Sequence, residues 1–150
     1  MSPDYGRLAN DLERTVASAP NRQAAMEHAV AALKAAIPHY SWVGIYLMDG
    51  DELVLGPFLG KPSPHTRIPL NRGICGAAAS QKTTIIVDDV NSDPRYLACS
   101  LETKSEIVVP IMRGTTVLGE IDIDSDQPAA FGAADRTLLE AVARAISVKI

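Results

Sequence analysis

The spacing of apolar residues changes along the chain, and each spacing predicts a type of secondary structure. In the first forty positions the larger apolar residues recur every three or four places, which is typical of helices with one buried face. These positions are Leu8, Leu12 and Val16 in one stretch, and Met26, Val30, Leu33 and Ile37 in the next. We expect a helix over 4–17 and a second one that Asn21 caps and Pro38 ends.

From Ser41 onward the apolar residues alternate with other residues, which predicts strands. One hairpin is expected around Asp49-Gly50-Asp51, and another around Arg113-Gly114, with strands over 107–112 and 117–124. Between the hairpins we expect a proline-broken loop over 60–69, a short helix over 73–81, a strand over 84–87 and a long loop over 88–103. Residues 131–150 have a helical pattern again. This order predicts an α+β domain whose antiparallel sheet carries the terminal helices on one face and long loops on the other.

The strand GEIDIDSD contains the most informative pattern in the chain. Alternate residues of a strand share a face, so Glu120, Asp122 and Asp124 should lie together, opposite the two isoleucines. If the isoleucines pack under the helices, the acids face the loops. They would then bind an ammonium group, or one of them would keep a proton near neutral pH. A solvated outer face of an edge strand is an alternative that the pattern leaves open.

Cysteine, histidine and aromatic residues supply further candidates. Cys99 lies in the long loop, where Arg95 or Lys104 would favour a reactive thiolate, although a buried structural thiol is equally typical of such a position. Cys75, in GICG, would lie near a helix N-terminus. A zinc site made from His65, both cysteines and an acid lacks the usual ligand spacing, so we expect no metal.

Trp42 and Tyr46 share a face of the first strand, as part of the core or as one wall of a ligand pocket. Glu106, which precedes the apolar run IVVPI, lies either at a rim or in a pocket.

Composition restricts the classes of partner. The chain has 150 residues, 47% of them hydrophobic and 21% charged, and a net charge of −4. These values are typical of one globular domain, here expected over 1–150. Because the chain has no basic cluster, we expect neither nucleic acid nor an anionic membrane as a partner. The chain lacks an apolar leader or span and has only two cysteines, so we expect a cytoplasmic protein. Motifs for nucleotide phosphate binding, serine hydrolysis and zinc proteases are absent from the sequence.

Several segments, taken in order, resemble a known family. They are SWVGIYL, LVLGPFLGKP, TRIPLNRGICGAAA, VDDV, YLAC, SEIVVPI and LGEIDIDSD. Together they resemble a GAF domain, most closely the free methionine-(R)-sulfoxide reductases, over roughly residues 20–149. The resemblance implies a central antiparallel sheet of about six strands, with N- and C-terminal helices on one face and a small-molecule pocket on the other.

The resemblance also implies roles for individual residues. Cys99, in YLAC, matches the family's nucleophile, which attacks the sulfoxide sulfur and becomes a sulfenic acid. A second cysteine then forms a disulfide with it, and thioredoxin acts as the external reductant, with no bound cofactor. The family's substrate-binding acids match Glu106, Asp122 and Asp124, and its aromatic wall matches Trp42 and Tyr46. Glu120 and His65 are further candidates for the pocket. A homodimer through the terminal helices is expected, as in many GAF domains.

One position departs from the family pattern. The family usually has a third cysteine in the loop before RIP, and His65 stands there instead. Cys75 would then be the resolving thiol, or a small external thiol would reduce the sulfenic acid. The same departure fits a non-catalytic sensory GAF domain that binds a small amino-acid-like ligand.

Overall fold

The computed structural model describes residues 3–98 and 101–150 and contains four α-helices in this part of the chain. They are α1 (Tyr5–Ser18), α2 (Arg22–Ala36), α3 (Gly73–Gln81) and α4 (Ala133–Ser147). The side chain of Asp4 caps α1 by accepting from the Arg7 N–H at 3.0 Å, and Asn21 caps α2 by accepting from Ala24 at 2.9 Å. Such caps satisfy donors that a helix leaves open at its start. The two helices predicted from the apolar spacing are therefore confirmed.

The strands form one antiparallel sheet. They are β1 (Trp42–Asp49), β2 (Glu52–Leu59), β3 (Arg67–Pro69), β4 (Ile85–Val87), β5 (Ser105–Arg113) and β6 (Thr116–Ser125). Their spatial order is β3-β2-β1-β6-β5-β4, so both predicted hairpins form and β6 joins them by pairing with β1. The α+β architecture with six strands is confirmed.

Two short elements lie in segments expected to be loops. β3 pairs with the start of β2, with Ile68 opposite Leu53, inside the proline-broken segment. A single 3-10 turn over Val90–Ser92 interrupts the long loop. Both are three residues long, too short to show the periodicity by which helices and strands are predicted.

The sheet separates two apolar clusters. On one face, Val43 and Ile45 of β1 and Ile121 and Ile123 of β6 pack with α1, α2 and α4 in the main core. On the other face, Trp42 and Tyr46 pack with α3 and the long loop. Each fully buried aliphatic side chain contributes about 1.5–3 kcal/mol. Burial of the isoleucines under the helices fixes the orientation of β6, so its acidic residues face α3.

A buried carboxylate joins the start of α4 to the rest of the helical layer. Asp135 accepts hydrogen bonds from the Tyr5 hydroxyl at 3.0 Å, the Tyr40 hydroxyl at 2.6 Å and the Gly132 N–H at 2.9 Å. Burial, followed by the hydrogen bond to Asp135, raises the pKa of Tyr5 to about 12, and the same causes raise the pKa of Tyr40 further. Asp135 therefore ties α1 to the start of α4.

Among residues 3–98 and 101–150, no helix combines the length and the apolar content needed to cross a bilayer.

Candidate functional site

The acidic residues of β6 lie on a buried face of the sheet. Glu120 is 0% exposed, Asp122 2% and Asp124 3%, so the alternative of a solvated edge is wrong. β6 lies between β1 and β5, so each of its acids has a paired residue on both sides. Asp124, for example, lies between Trp42 on β1 and Glu106 on β5. Four carboxyl groups are thus concentrated on the inner face beneath α3.

Several of these carboxylate oxygens have no hydrogen-bond partner. They are both oxygens of Glu120, Oδ1 of Asp122 and Oδ1 of Asp124. Burial raises the pKa of Glu120 and Asp124 well above the usual value, and the neighbouring Asp122 raises both further. Burial also raises the pKa of Asp122, which hydrogen bonds with Glu106 and Cys75 partly offset. The raised pKa values favour protonated carboxyl groups, which can donate a proton, and the open oxygens can accept hydrogen bonds from a cation.

The four carboxyl groups of Glu106, Glu120, Asp122 and Asp124 form an acidic wall, and Cys75 lies against it. It is the third residue of α3, close to the helix N-terminus as predicted, and it is buried. Burial raises its pKa well above the usual value, and the neighbouring Asp122 and Glu120 raise it further. Burial and the neighbouring carboxyl groups thus both favour the neutral thiol of Cys75 and oppose the thiolate-favouring effect of the helix N-terminus.

A small cavity opens between the sheet and the start of α3. Glu106 and Asp122 line it from the sheet, and Cys75 lines it from α3. α3 can approach so closely because residue 76 is glycine: a Cβ there would lie 2.8 Å from the Pro69 carbonyl oxygen. Arg72 makes no side-chain cap at this helix end, so backbone N–H groups of the first turn remain available to a ligand.

The two aromatic candidates have different positions. Tyr46 lines the cavity and donates from its hydroxyl to the His65 carbonyl oxygen at 2.8 Å. Trp42 lies in the same apolar cluster but stacks on Phe58, with ring centroids 5.7 Å apart, and donates to the Lys61 carbonyl oxygen at 2.9 Å. Trp42 thus supports the neighbouring loop, whereas Tyr46 faces the cavity.

His65, a further candidate for the pocket, also lines the cavity. Its Nε2 lies 3.0 Å from the carbonyl oxygen of Ala98, a hydrogen bond when that nitrogen carries the proton. The His65 ring therefore connects the loop before β3 to the end of the described part of the long loop.

Cys99 lies outside the described residues. Of the two cations expected to favour its thiolate, Arg95 forms an ion pair with Asp93, with Nη2 2.7 Å from Oδ2, and this pairing raises the pKa of the guanidinium. Arg95 is thus already neutralised by a neighbour within its own turn.

Sequence reasoning missed the apolar residues that close the cavity, among them Leu97 and Ile74. Leu97 packs at the start of α3, where a Cβ on Gly73 would lie 2.9 Å from its Cδ1. Gly73 has φ +71°, a conformation that favours glycine. An isolated leucine in a polar loop, with a glycine at the start of a short helix, was the available signal.

Comparisons with known proteins agree with this architecture. The GAF domain family model matches residues 21–150. The chain belongs to the GAF domain family. GAF domain-containing protein A of Dictyostelium discoideum is 40% identical to this GAF domain over 136 residues, which cover 90% of this chain and 85% of that protein.

Two further comparisons concern free methionine-R-sulfoxide reductases. The Saccharomyces cerevisiae enzyme of that name is 40% identical over 147 residues, which cover 95% of this chain and 79% of the relative. The Neisseria meningitidis enzyme, solved in complex with its substrate, superposes with a TM-score of 0.92 at 37% identity, covering 97% of this GAF domain and 87% of that chain. The resemblance to this group, predicted from the sequence, is confirmed.

Proposed function

We propose that the chain reduces free methionine-(R)-sulfoxide with thiol electrons. The observation that carries this proposal is the buried acidic wall, whose open oxygens on Asp122 and Asp124 require a cation or a proton. A free amino acid supplies an ammonium group for that wall. Its carboxylate suits the N-terminus of α3, where backbone N–H groups and the helix dipole favour an anion. Reductases of this substrate at 37–40% identity support the choice of ligand.

The chemical step needs a nucleophile and a proton. Cys99 is the proposed nucleophile, on the resemblance of YLAC to the family motif. The oxygen of the sulfoxide moves to the Cys99 sulfur, so methionine is released and Cys99 becomes a sulfenic acid. Asp122 or Asp124, whose pKa values are raised by burial, donates the proton that the departing oxygen needs. Glu106 and Tyr46 hold the substrate at the cavity.

Regeneration of the thiol requires a reductant. In the proposed cycle the Cys75 sulfur bonds to the Cys99 sulfur, water leaves, and thioredoxin reduces the disulfide. The raised pKa of Cys75 makes it a slow attacking thiol, because the thiolate is the reactive form. A small thiol that attacks the sulfenic acid directly would bypass this slow step.

We also propose a cellular location and an oligomeric state for the protein. It works in the cytoplasm, where thiols stay reduced. It forms a homodimer through its terminal helices. An exposed Val148 follows α4 and lies beside an alanine-lined groove between α1 and α4, which supports this proposal. A monomer in light scattering at high protein concentration would contradict the dimer.

The test is an assay of the purified chain on free L-methionine-(R)-sulfoxide, with thioredoxin and its reductase or with dithiothreitol. We expect turnover with both reductants in the wild type and none in Cys99→Ser. Cys75→Ser should keep the dithiothreitol activity and lose the thioredoxin activity. The (S)-epimer is the control for the pocket, and the N-acetyl derivative, which has no ammonium group, tests the acidic wall. Absence of turnover with either reductant would contradict the proposal and favour the sensory alternative.

A further inference from the structure

Three potential metal ligands meet in the cavity, from three different elements. They are the Sγ atom of Cys75 on α3 and one carboxylate oxygen each from Glu106 on β5 and Asp122 on β6. These atoms lie within 4.8 Å of one another, and all three residues are buried. No metal was expected from the sequence, because a zinc site made from His65, both cysteines and an acid lacks the usual ligand spacing.

The donor set selects a class of cation. One sulfur and two carboxylate oxygens suit a borderline-soft ion such as Zn²⁺, whereas Mg²⁺ and Ca²⁺ prefer oxygen alone. Bonds of about 2.3 Å to sulfur and about 2.0–2.2 Å to oxygen place tetrahedral ligand atoms roughly 3.5 Å apart. Because the three atoms lie within 4.8 Å of one another, they need to close by at most about 1.3 Å to bind one tetrahedral ion.

The charge balance of the cavity is an independent indication of a cationic ligand. Asp122 Oδ1 is buried without a hydrogen-bond partner, and Asp122 lines the cavity. Among the described residues that line the cavity there is no lysine or arginine. A buried carboxyl group either keeps a proton or binds a cation, and a metal ion that displaces the proton gains the carboxylate as a ligand. An ammonium group pairs with the carboxylates but makes no bond to the Cys75 sulfur, whereas a thiophilic cation binds both kinds of atom.

We propose that Cys75, Glu106 and Asp122 form a binding site for a thiophilic divalent cation of the Zn²⁺ class. Water completes the coordination, and the Cys75 proton is released on binding, since the thiolate is the ligand. The site goes beyond the proposed reductase activity and does not depend on it. The metal and an amino-acid ammonium would share Asp122 and therefore exclude each other, so the cation would act as an inhibitor of the pocket.

Cobalt titration of the full chain tests the site, because Co²⁺ bound to a thiolate gives a near-ultraviolet charge-transfer band. The starting protein is Cys99→Ser, reduced and freed of metal with a chelator, in which Cys75 is the only thiol. We expect saturable binding of one Co²⁺ with this band, and stoichiometric displacement by Zn²⁺. Adding Cys75→Ser should abolish the band and weaken Zn²⁺ binding by about tenfold or more.

A second variant guards against a loss of folding in the first. Asp122→Asn keeps the thiol and the side-chain volume, and should retain the charge-transfer band while weakening Zn²⁺ binding by about tenfold. Circular dichroism of each variant checks the fold. Absence of saturable Co²⁺ binding in the folded starting protein, or binding unchanged by both variants, would overturn the proposal. The titration needs no turnover, so failure of the reductase assay leaves its outcome readable.

Discussion

The Tyr40–Asp135 hydrogen bond should stabilise the fold at neutral pH and lose that effect in alkali. Tyr40 is fully buried, and its hydroxyl donates to the Asp135 carboxylate at 2.6 Å. A hydrogen bond to a charged group contributes about 1.5–3 kcal/mol. We therefore expect Tyr40→Phe to lower the free energy of unfolding at pH 8 by about that amount, with the overall fold kept.

The pH dependence follows from the raised pKa of Tyr40 in the folded state. The unfolded side chain titrates near 10.0, while the folded one keeps its proton to higher pH. Stability from this group is present below pH 10 and is lost as the pH rises, because the unfolded state then binds fewer protons. The loss approaches about 1.4 kcal/mol per pH unit above pH 10 and amounts to about 2.3 kcal/mol between pH 10 and 12.

The assay is urea unfolding followed by the fluorescence of Trp42, the single tryptophan, from pH 8 to pH 12. The difference between wild type and Tyr40→Phe should shrink almost to zero by pH 12. Tyr5→Phe is the matched control: it removes a longer bond, 3.0 Å, to the same carboxylate from a less buried ring, and it should cost less at pH 8. A difference between wild type and Tyr40→Phe that stays constant up to pH 12 would refute the reasoning.

Three further predictions concern the candidate site. Asp122→Asn, assayed with a chelator present, should raise the KM for the sulfoxide roughly tenfold to a hundredfold. The substrate ammonium group would lose a charged partner that contributes about 1.5–3 kcal/mol. An unchanged KM would show that Asp122 does not bind the substrate. His65→Cys restores a thiol to the cavity rim and should increase turnover with thioredoxin more than turnover with dithiothreitol; equal effects on both would contradict a resolving role for this position. Gly60→Ala should lower stability by about 1–3 kcal/mol in thermal unfolding, since its Cβ would lie 2.7 Å from Cδ1 of Trp42 and φ is +128°; a neutral effect would mean that the Trp42 ring can move.

Periodicity was sufficient to predict the orientation of β6. Ile121 and Ile123 alternate with the acids, and a strand has only two faces, so burial of the isoleucines under the helices fixed the position of Asp122 and Asp124. The pattern could not decide whether the acidic face is solvated. That depends on β6 lying between β1 and β5 and on α3 covering the face, which are long-range pairings that no local pattern records.

The grouping of Cys75 with Glu106 has the same physical origin. Cys75 belongs to a short helix held against the loop at Leu70 by the close approach of Gly76, and Glu106 reaches the site through the pairing of β5 with β6. Neither contact has a sequence signature, because each depends on the tertiary packing. Leu97, which closes the cavity, was missed for the same reason: a single apolar residue in a loop carries no period.

Several residues that violate the ordinary rules of packing lie together at one place in the fold. A sequence shaped by stability alone would place apolar residues on the inner face of a central strand, as it does at Ile121 and Ile123. Instead Glu120, Asp122 and Asp124 lie there with open oxygens, opposite a helix end without a side-chain cap. Buried polar groups without partners that lie close together are typical of a functional site, because a bound ligand can supply the missing hydrogen bonds and charges. The carboxylates and the uncapped helix end also differ in what they require. The carboxylates are stabilised by a cation, and the N-terminus of α3 is stabilised by an anion. A ligand that stabilises both therefore carries both charges, as a free amino acid does.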